Sequence, residues 1–278
     1  MFVLSLGEQV TSTCLLTARL DEQVPARPRN ADPLLGMSQL AADELQAARD
    51  AIDEVLWRRD VRAAATQVAA DSLARGARDS AAIDGADVPA ADDSPMGHVL
   101  ANTQALTLAA AQCADVFAVA PLQALANLHA VAAQGFVDPA QRGRPRTDDT
   151  PDDPLLIGSI PPAGVVPARL TQLASVVATT QAPALLQAAI VHGELMTLRP
   201  FAWGSGLVAR ALVRTVLVAK GVDPSCFTIP ELGMFAQGRG AYVAAIRSFA
   251  LGDPQSMEAY LQWFALSCVM GAQAVQVP

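Results

Sequence analysis

Residues 191–221, VHGELMTLRPFAWGSGLVARALVRTVLVAKG, constrain this chain more than any other stretch. From Leu207 to Lys220 the sequence is apolar nearly all round, so a helix there must be central and buried. Gly221 follows as the C′ glycine. The preceding stretch through Leu198 is helical too, and Pro200 stops it because it lacks an amide hydrogen and its ring collides with the preceding turn. Between the helices lies Pro200-Phe201-Ala202-Trp203-Gly204-Ser205-Gly206. Gly204 and Gly206 permit backbone conformations that a side chain forbids, and Ser205 can cap the second helix. Such a loop aims free amides and a positive helix end at one spot, which makes it a physical anion-binding site. Arg210 and Arg214 share one face of the buried helix, and a buried arginine needs an anionic partner.

The rest of the chain agrees with a helical core. Of 278 residues 52% are apolar and only 5% aromatic, with heavy use of alanine and leucine, which favours packed helices over sheets. The net charge of −8 argues against general nucleic-acid binding, which needs a basic face. Cys14, Cys113, Cys226 and Cys268 are scattered, as are His98, His129 and His192, so a zinc site is not expected. The cysteine usage reads as reduced thiols in a cytoplasmic protein. The start, MFVLSLGEQV, is short and lacks a basic region, so it does not read as a signal peptide. No apolar run reaches membrane-spanning length.

In chain order, FVLSL reads as a short strand, TSTCLLTARL as a strand or a helical turn, and PARPRNADP as a linker. Ser38 reads as the N-cap of a helix whose Leu40, Leu45, Ala48, Ile52, Val55 and Leu56 recur at helical spacing. An alanine-rich helix follows and ends near Ser80-Ala81-Ala82-Ile83-Asp84-Gly85. Helices are expected from His98 to Gln112 and from Leu122 to Ala133, with Pro121 in the first turn of the latter. The segment with Arg142, Arg144 and Arg146 followed by Asp148, Asp149, Asp152 and Asp153 reads as an exposed loop. Pro167 and Pro183 open further helices, and two or three more complete the chain.

The stretch Arg199-Pro200-Phe201-Ala202-Trp203-Gly204-Ser205-Gly206-Leu207-Val208-Ala209-Arg210 resembles the signature H-P-F-x-[D/E]-G-N-G-R-x-x-R of the Fic (Fido) domain family, whose members mostly transfer AMP from ATP to protein hydroxyls. Pro200, Phe201, Gly204, Gly206 and Arg210 match. Arg199 stands at the family's catalytic histidine, Trp203 at its metal-binding acid, Ser205 at its asparagine and Leu207 at its first arginine. SAAIDG, residues 80–85, resembles the family's inhibitory [S/T]-x-x-x-E-[G/N], with Ser80 matched and Asp84 in place of the glutamate that pairs with the last signature arginine. The resemblance implies an all-α Fic-like helical domain with an N-terminal helical segment. It also implies a short β-hairpin flap, with LLIGSI as a flap strand, that holds a target segment by strand addition. His192, seven residues before Arg199, resembles a family histidine that is not catalytic and reads as a hydrogen-bonded core residue. The expected division is an N-terminal extension over 1–33, a helical region with the inhibitory-like helix over 34–103, and a Fic-like core over 104–278.

The substitutions bear on chemistry directly. A guanidinium stays protonated and cannot accept the proton of an incoming hydroxyl as the family histidine does. An indole has only an N–H donor and cannot ligate Mg²⁺. The expectation is therefore a degenerate site with no catalytic residue and no metal ligand, in a protein that acts as a regulatory or protein-interaction module. What survives is an anion cradle of Arg199, Gly204, Ser205, Gly206 and Arg210. ATP or another phosphate, bound without Mg²⁺, is the ligand it would take, in an enzyme or sensor with altered chemistry. The competing expectation is that Trp203 fills the old pocket while Asp84 neutralises Arg210. The expected partner is another protein, met through residues 154–165, with neither nucleic acid nor membrane involved; homo-oligomerisation stays open.

Overall fold

The structure, a computed structural model, describes Asp32 and residues 34–277. Among the described residues there are twelve α-helices, three 3₁₀ turns and no strand. The readings of FVLSL and TSTCLLTARL fall outside these residues. The helices are α1 (Ala42–Trp57), α2 (Arg59–Ala63), α3 (Ala65–Ile83), α4 (Pro95–Gln112), α5 (Ala114–Val119), α6 (Pro121–Ala132), α7 (Val166–Thr179), α8 (Ala184–Leu198), α9 (Ser205–Ala219), α10 (Pro230–Ala236), α11 (Arg239–Leu251) and α12 (Pro254–Gln273). None is long and apolar enough to cross a membrane.

α8 and α9 are the centre. Every residue of α8 from Leu185 to Leu198 is buried, as is α9 from Leu207 to Leu217. The other helices are amphipathic covers: α4, α5 and α6 pack on α9, and α11 packs on α8. α3 bears on α4 and α10, and α1 lies along α12. Bare glycines allow the closest approaches. A Cβ on Gly233 would collide with the Ser267 backbone, and one on Gly271 with the Ile229 carbonyl.

Sequence cues set several boundaries. Pro121 stands at the start of α6, and Gly221 (φ 67°) follows the last turn of α9. Ser94 caps α4 and Asp253 caps α12 through side-chain acceptors. Ser38 does not cap α1. It lies in a turn and donates to the Leu35 carbonyl, while α1 starts from Ala41 in the left-handed region.

Two expectations about the segment before α7 are corrected. Arg146 is buried rather than solvated. The LLIGSI stretch forms no hairpin. Its backbone carbonyls are satisfied by arginine side chains instead of a neighbouring strand: Arg239 reaches Pro154, Arg247 donates to Leu156 (3.0 Å) and Ile157 (2.9 Å), and Arg199 donates to Gly158 and Ser159. With Leu156 at φ 54° and its carbonyls already committed, the segment is an irregular strap, anchored by buried Leu155 and Ile157.

Candidate functional site

The site begins at the C-terminus of α8. Arg199 is its C-cap residue, left-handed at φ 42°, and turns the chain into the loop. Gly204, at φ 74°, then starts α9. Ser205 is the first helical residue rather than the cap. Its hydroxyl accepts from the Phe201 amide (3.1 Å) and donates to the Phe201 carbonyl (3.3 Å), which closes the loop on itself.

Every carbonyl from Leu198 to Trp203 has a partner. Arg146 serves three: Nη2 reaches Leu198 (3.4 Å), Nε Arg199 (2.8 Å) and its backbone N–H Pro200 (2.8 Å). The Phe201 carbonyl takes the Ser205 hydroxyl, and Ala202 takes the Asp152 amide (2.8 Å). Trp203 takes His129 Nε2 (3.2 Å). His129 Nδ1 accepts from the Gly143 amide (2.8 Å), so the neutral ring carries its proton on Nε2. Burial holds His129 neutral, pushing its pKa down to about 4. Its ring stacks on Phe201 at 3.7 Å. The loop is thereby rigid before any ligand is considered.

Trp203 does not fill the pocket. Its indole is half-buried, stacks face to face on Phe136 at 4.1 Å and does not line the cavity beside the α9 N-terminus. The plug is Asp84, the residue that ends α3. Asp84 Oδ2 lies 2.8 Å from Arg210 Nη2, and a Cβ on Gly206 would come within 3.1 Å of the same oxygen. A carboxylate therefore already sits over the first turn of α9, where the helix dipole favours negative charge. Asp84 Oδ1 is buried without a hydrogen-bond partner.

Arg210 is fully buried and all three of its guanidinium nitrogens are engaged. Nε donates to Ser80 Oγ (2.8 Å), Nη2 to the Ser80 carbonyl (3.0 Å) and Nη1 to Tyr242 Oη (3.3 Å). Burial opposes its charge, but Asp84 and Tyr242 outweigh that and hold the pKa above its ordinary value. The same network extends to His192. Tyr260 donates to the Ala189 carbonyl (2.7 Å), so its oxygen accepts from His192 Nδ1–H (3.0 Å). Nε2 must then accept from Tyr242 O–H (2.7 Å), whose oxygen accepts from Arg210. His192 is thus a neutral core residue with both nitrogens satisfied. Burial and then the Arg210 charge push its pKa down to about 3.

Arg214 makes a parallel arrangement one turn along. It pairs through two nitrogens with Glu231 (2.7 and 2.8 Å) and donates to the Ser72 carbonyl (3.3 Å). The two arginines thus grip α3 at Ser72 and Ser80.

Arg199 faces the strap. Nη1 lies 2.6 Å from Asp153 Oδ2, and Nη2 donates to the Gly158 and Ser159 carbonyls. Burial lowers its pKa and Asp153 partly offsets this. Between the strap and α9 remains a cavity of about 20 Å³, the scale of a single water. Asp84, Asp153, Arg199, Gly204, Ser205 and Gly206 line it; Arg210 and Trp203 do not. The structure thus brings Arg199 and the two glycines together with Asp84, and places Arg210 behind the carboxylate. His129, Arg146 and Asp153, which hold the loop and Arg199, carry no signal in the sequence. Each acts across dozens of residues on a backbone carbonyl or a partner that no local spacing marks.

The residues do not fit Mg²⁺, and with Asp84 in place they leave no room for a nucleotide. Trp203 offers no ligand atom, and among the described residues no group of three or more His, Cys, Asp or Glu could hold a metal ion. With Asp84 on Arg210 the remaining cavity of about 20 Å³ holds no phosphate.

Residues 120–217 match the model of the Fic/DOC family. No curated protein matches this chain. Among solved structures, a Fic family protein from Desulfovibrio desulfuricans G20 is 18% identical, with a TM-score of 0.62 over 83% of this chain and 73% of that one. Fic-1 (residues 134–508) from C. elegans is 19% identical, with a TM-score of 0.62 over 88% of this chain and 77% of that one. The matched region holds α6 to α9 with the loop between α8 and α9, and the fold shared with these structures extends well beyond it: residues 120–217 match the Fic/DOC family, and the chain as a whole has a Fic fold.

Proposed function

We propose that this protein has given up AMP transfer and acts as a regulatory or protein-interaction module on a Fic scaffold. The observation that carries the reading is the engagement of Arg199. At the position of the family's proton acceptor stands a cation that pairs with Asp153 and holds strap carbonyls. Loss of a general base alone removes about 10²- to 10⁴-fold in rate. Trp203 removes the metal ligand as well. The strap over 154–165 is the surface offered to a partner protein, with Leu156 73% exposed at its crest. Incubation with labelled ATP, Mg²⁺ or Mn²⁺ and cell lysate tests this in the cytoplasmic setting expected for the chain. No transfer is expected; transfer that disappears in Arg210→Ala would overturn the reading.

A second reading rests on Asp84 Oδ1, buried without a hydrogen bond. A carboxylate held by one oxygen is displaceable, so a metal-free phosphate or nucleotide could take its place on Arg210 in a sensor. A thermal shift with ATP that survives EDTA and grows in Asp84→Ala supports it; no shift in either protein excludes it.

A further inference from the structure

One face of α11 packs on α8 and α12, and the other turns to solvent. Its exposed positions are Arg239, Gly240, Ala241, Ala244, Arg247 and Leu251. The outer face of a helix ordinarily carries charged and polar side chains along its length. This one has two arginines and no other polar side chain, and Leu251 at its end is 70% exposed. Arg247 and Leu251 are one turn apart on the same side. The strap runs beside them: Arg247 donates to the carbonyls of Leu156 (3.0 Å) and Ile157 (2.9 Å), which brings exposed Leu156 to the edge of the same face.

The charge of these two arginines is not balanced. Arg239 donates to the Pro154 carbonyl and Arg247 to the two carbonyls just named, and among the described residues neither pairs with a carboxylate. The other arginines that hold the strap do have one: Arg199 pairs with Asp153, and Arg146 with Asp149. A neutral carbonyl leaves a guanidinium uncompensated, and a carboxylate is the stronger acceptor for it. Eight positions separate Arg239 from Arg247, about 12 Å along the helix axis.

This pattern selects among partners. Strand addition is closed, because the carbonyls of Pro154 and of Leu156 to Ser159 already accept from arginines. A partner must therefore meet side chains. Two arginines on a chain of net charge −8, with Asp148 and Asp152 exposed on the same segment before the strap, do not make the basic field that nucleic acid or an anionic membrane requires. An apolar face framed by two unpaired cations is complementary to an apolar face framed by two carboxylates.

We propose that the outer face of α11, together with the crest of the strap, docks an acidic amphipathic helix of a partner protein. Carboxylates two turns apart on that helix pair with Arg239 and Arg247, and its apolar side chains cover Leu156 and Leu251. This partner class deepens the reading of the strap as a protein-docking surface and rests on it.

The probe is an alanine-rich helical peptide with leucines on one face and two glutamates two turns apart beside them, titrated into the full chain and followed by amide NMR. Shifts are expected at Leu156, Ala244 and Leu251, and added salt should weaken the binding. Arg239→Gln with Arg247→Gln keeps a donor for the strap carbonyls and removes the charge. Affinity is expected to fall about five-fold in this double variant, while the amides of Ile157 and Gly158 keep their exchange protection. The same peptide with lysines in place of the glutamates should not bind wild type better than the acidic peptide binds the double variant. Unchanged affinity in the double variant, equal binding of the lysine peptide, or no shift at millimolar peptide would overturn the proposal. So would shifts of these amides on concentrating the chain without peptide, which assign the face to a second copy. These outcomes judge the α11 surface alone; the labelled-ATP assay separately decides whether AMP transfer is lost.

Discussion

Asp84 and Arg210 stand 126 residues apart in sequence and 2.8 Å apart in space, at the N-terminal end of the central helix α9. The pair sets a carboxylate over the first turn of α9, and it also joins α3 to α9. Removing one partner of a buried ion pair leaves a charge without compensation and costs about 3–5 kcal/mol. Asp84→Ala is therefore expected to lower unfolding free energy by about 3 kcal/mol in urea titration, since Ser80 and Tyr242 still hold the guanidinium. A loss under about 0.5 kcal/mol would show that Asp84 is not the partner Arg210 depends on.

Arg199→Ala is expected to release the strap. Asp153 and the carbonyls of Gly158 and Ser159 lose their donor together. Limited proteolysis should move to residues 153–160 and amide exchange at Ile157 and Gly158 should quicken, while amides in α9 keep their protection.

Trp203→Ala is expected to behave as a surface-stack mutation. It loses the Phe136 stack, worth about 0.5–1.5 kcal/mol beyond its buried area. It opens no pocket, because the indole does not line the cavity. A gain in nucleotide-induced thermal shift in this variant would contradict that placement.

Acid should unfold the protein through its buried histidines. His129 is held at about 4 and His192 at about 3, both below the ordinary value of 6.5. The unfolded chain therefore binds protons that the folded one refuses, and stability rises with pH across that window. At about 1.4 kcal/mol per pH unit, His129 alone contributes about 3 kcal/mol that is present above pH 6.5 and lost as pH falls towards 4. Asp79 acts in the opposite sense: burial pushes it up to about 6, so its contribution declines as pH rises from 3.8 to that value. The histidine part is isolated by comparing wild type with His129→Gln, whose amide can replace both ring hydrogen bonds. The variant's stability should fall less steeply between pH 6.5 and 4; equal slopes would reject the assignment.

Gly76→Ala tests the second arginine pair. In an ordinary helix the change gains about 1 kcal/mol. Here the new Cβ would meet Arg214 Nη2 and come within 2.8 Å of Glu231 Oε2. The pair must part, and a net loss of about 2 kcal/mol is expected by thermal or chemical denaturation, in line with a partly broken buried ion pair.

The sequence by itself determined the helical class, the central burial of α9 and the glycine-framed loop that precedes it. These follow from local properties: apolar content without a polar face, a proline that stops a helix, and Gly204 at positive φ. The resemblance to the Fic signature sets a cation and an indole where that family has a base and a metal ligand. Only the tertiary structure decided where those side chains go. Trp203 could equally have turned inward, and its stack on Phe136 depends on a residue 67 positions away. Arg146 read as a solvated charge because its neighbours are polar; its three acceptors lie on the α8 terminus, some fifty residues on. The strap failed as a hairpin for the same reason. Strand propensity is local, but the carbonyls of Pro154 and of Leu156 to Ser159 were taken by arginines from α8's end and α11. A sequence states which groups need partners; long-range packing selects which partner each receives.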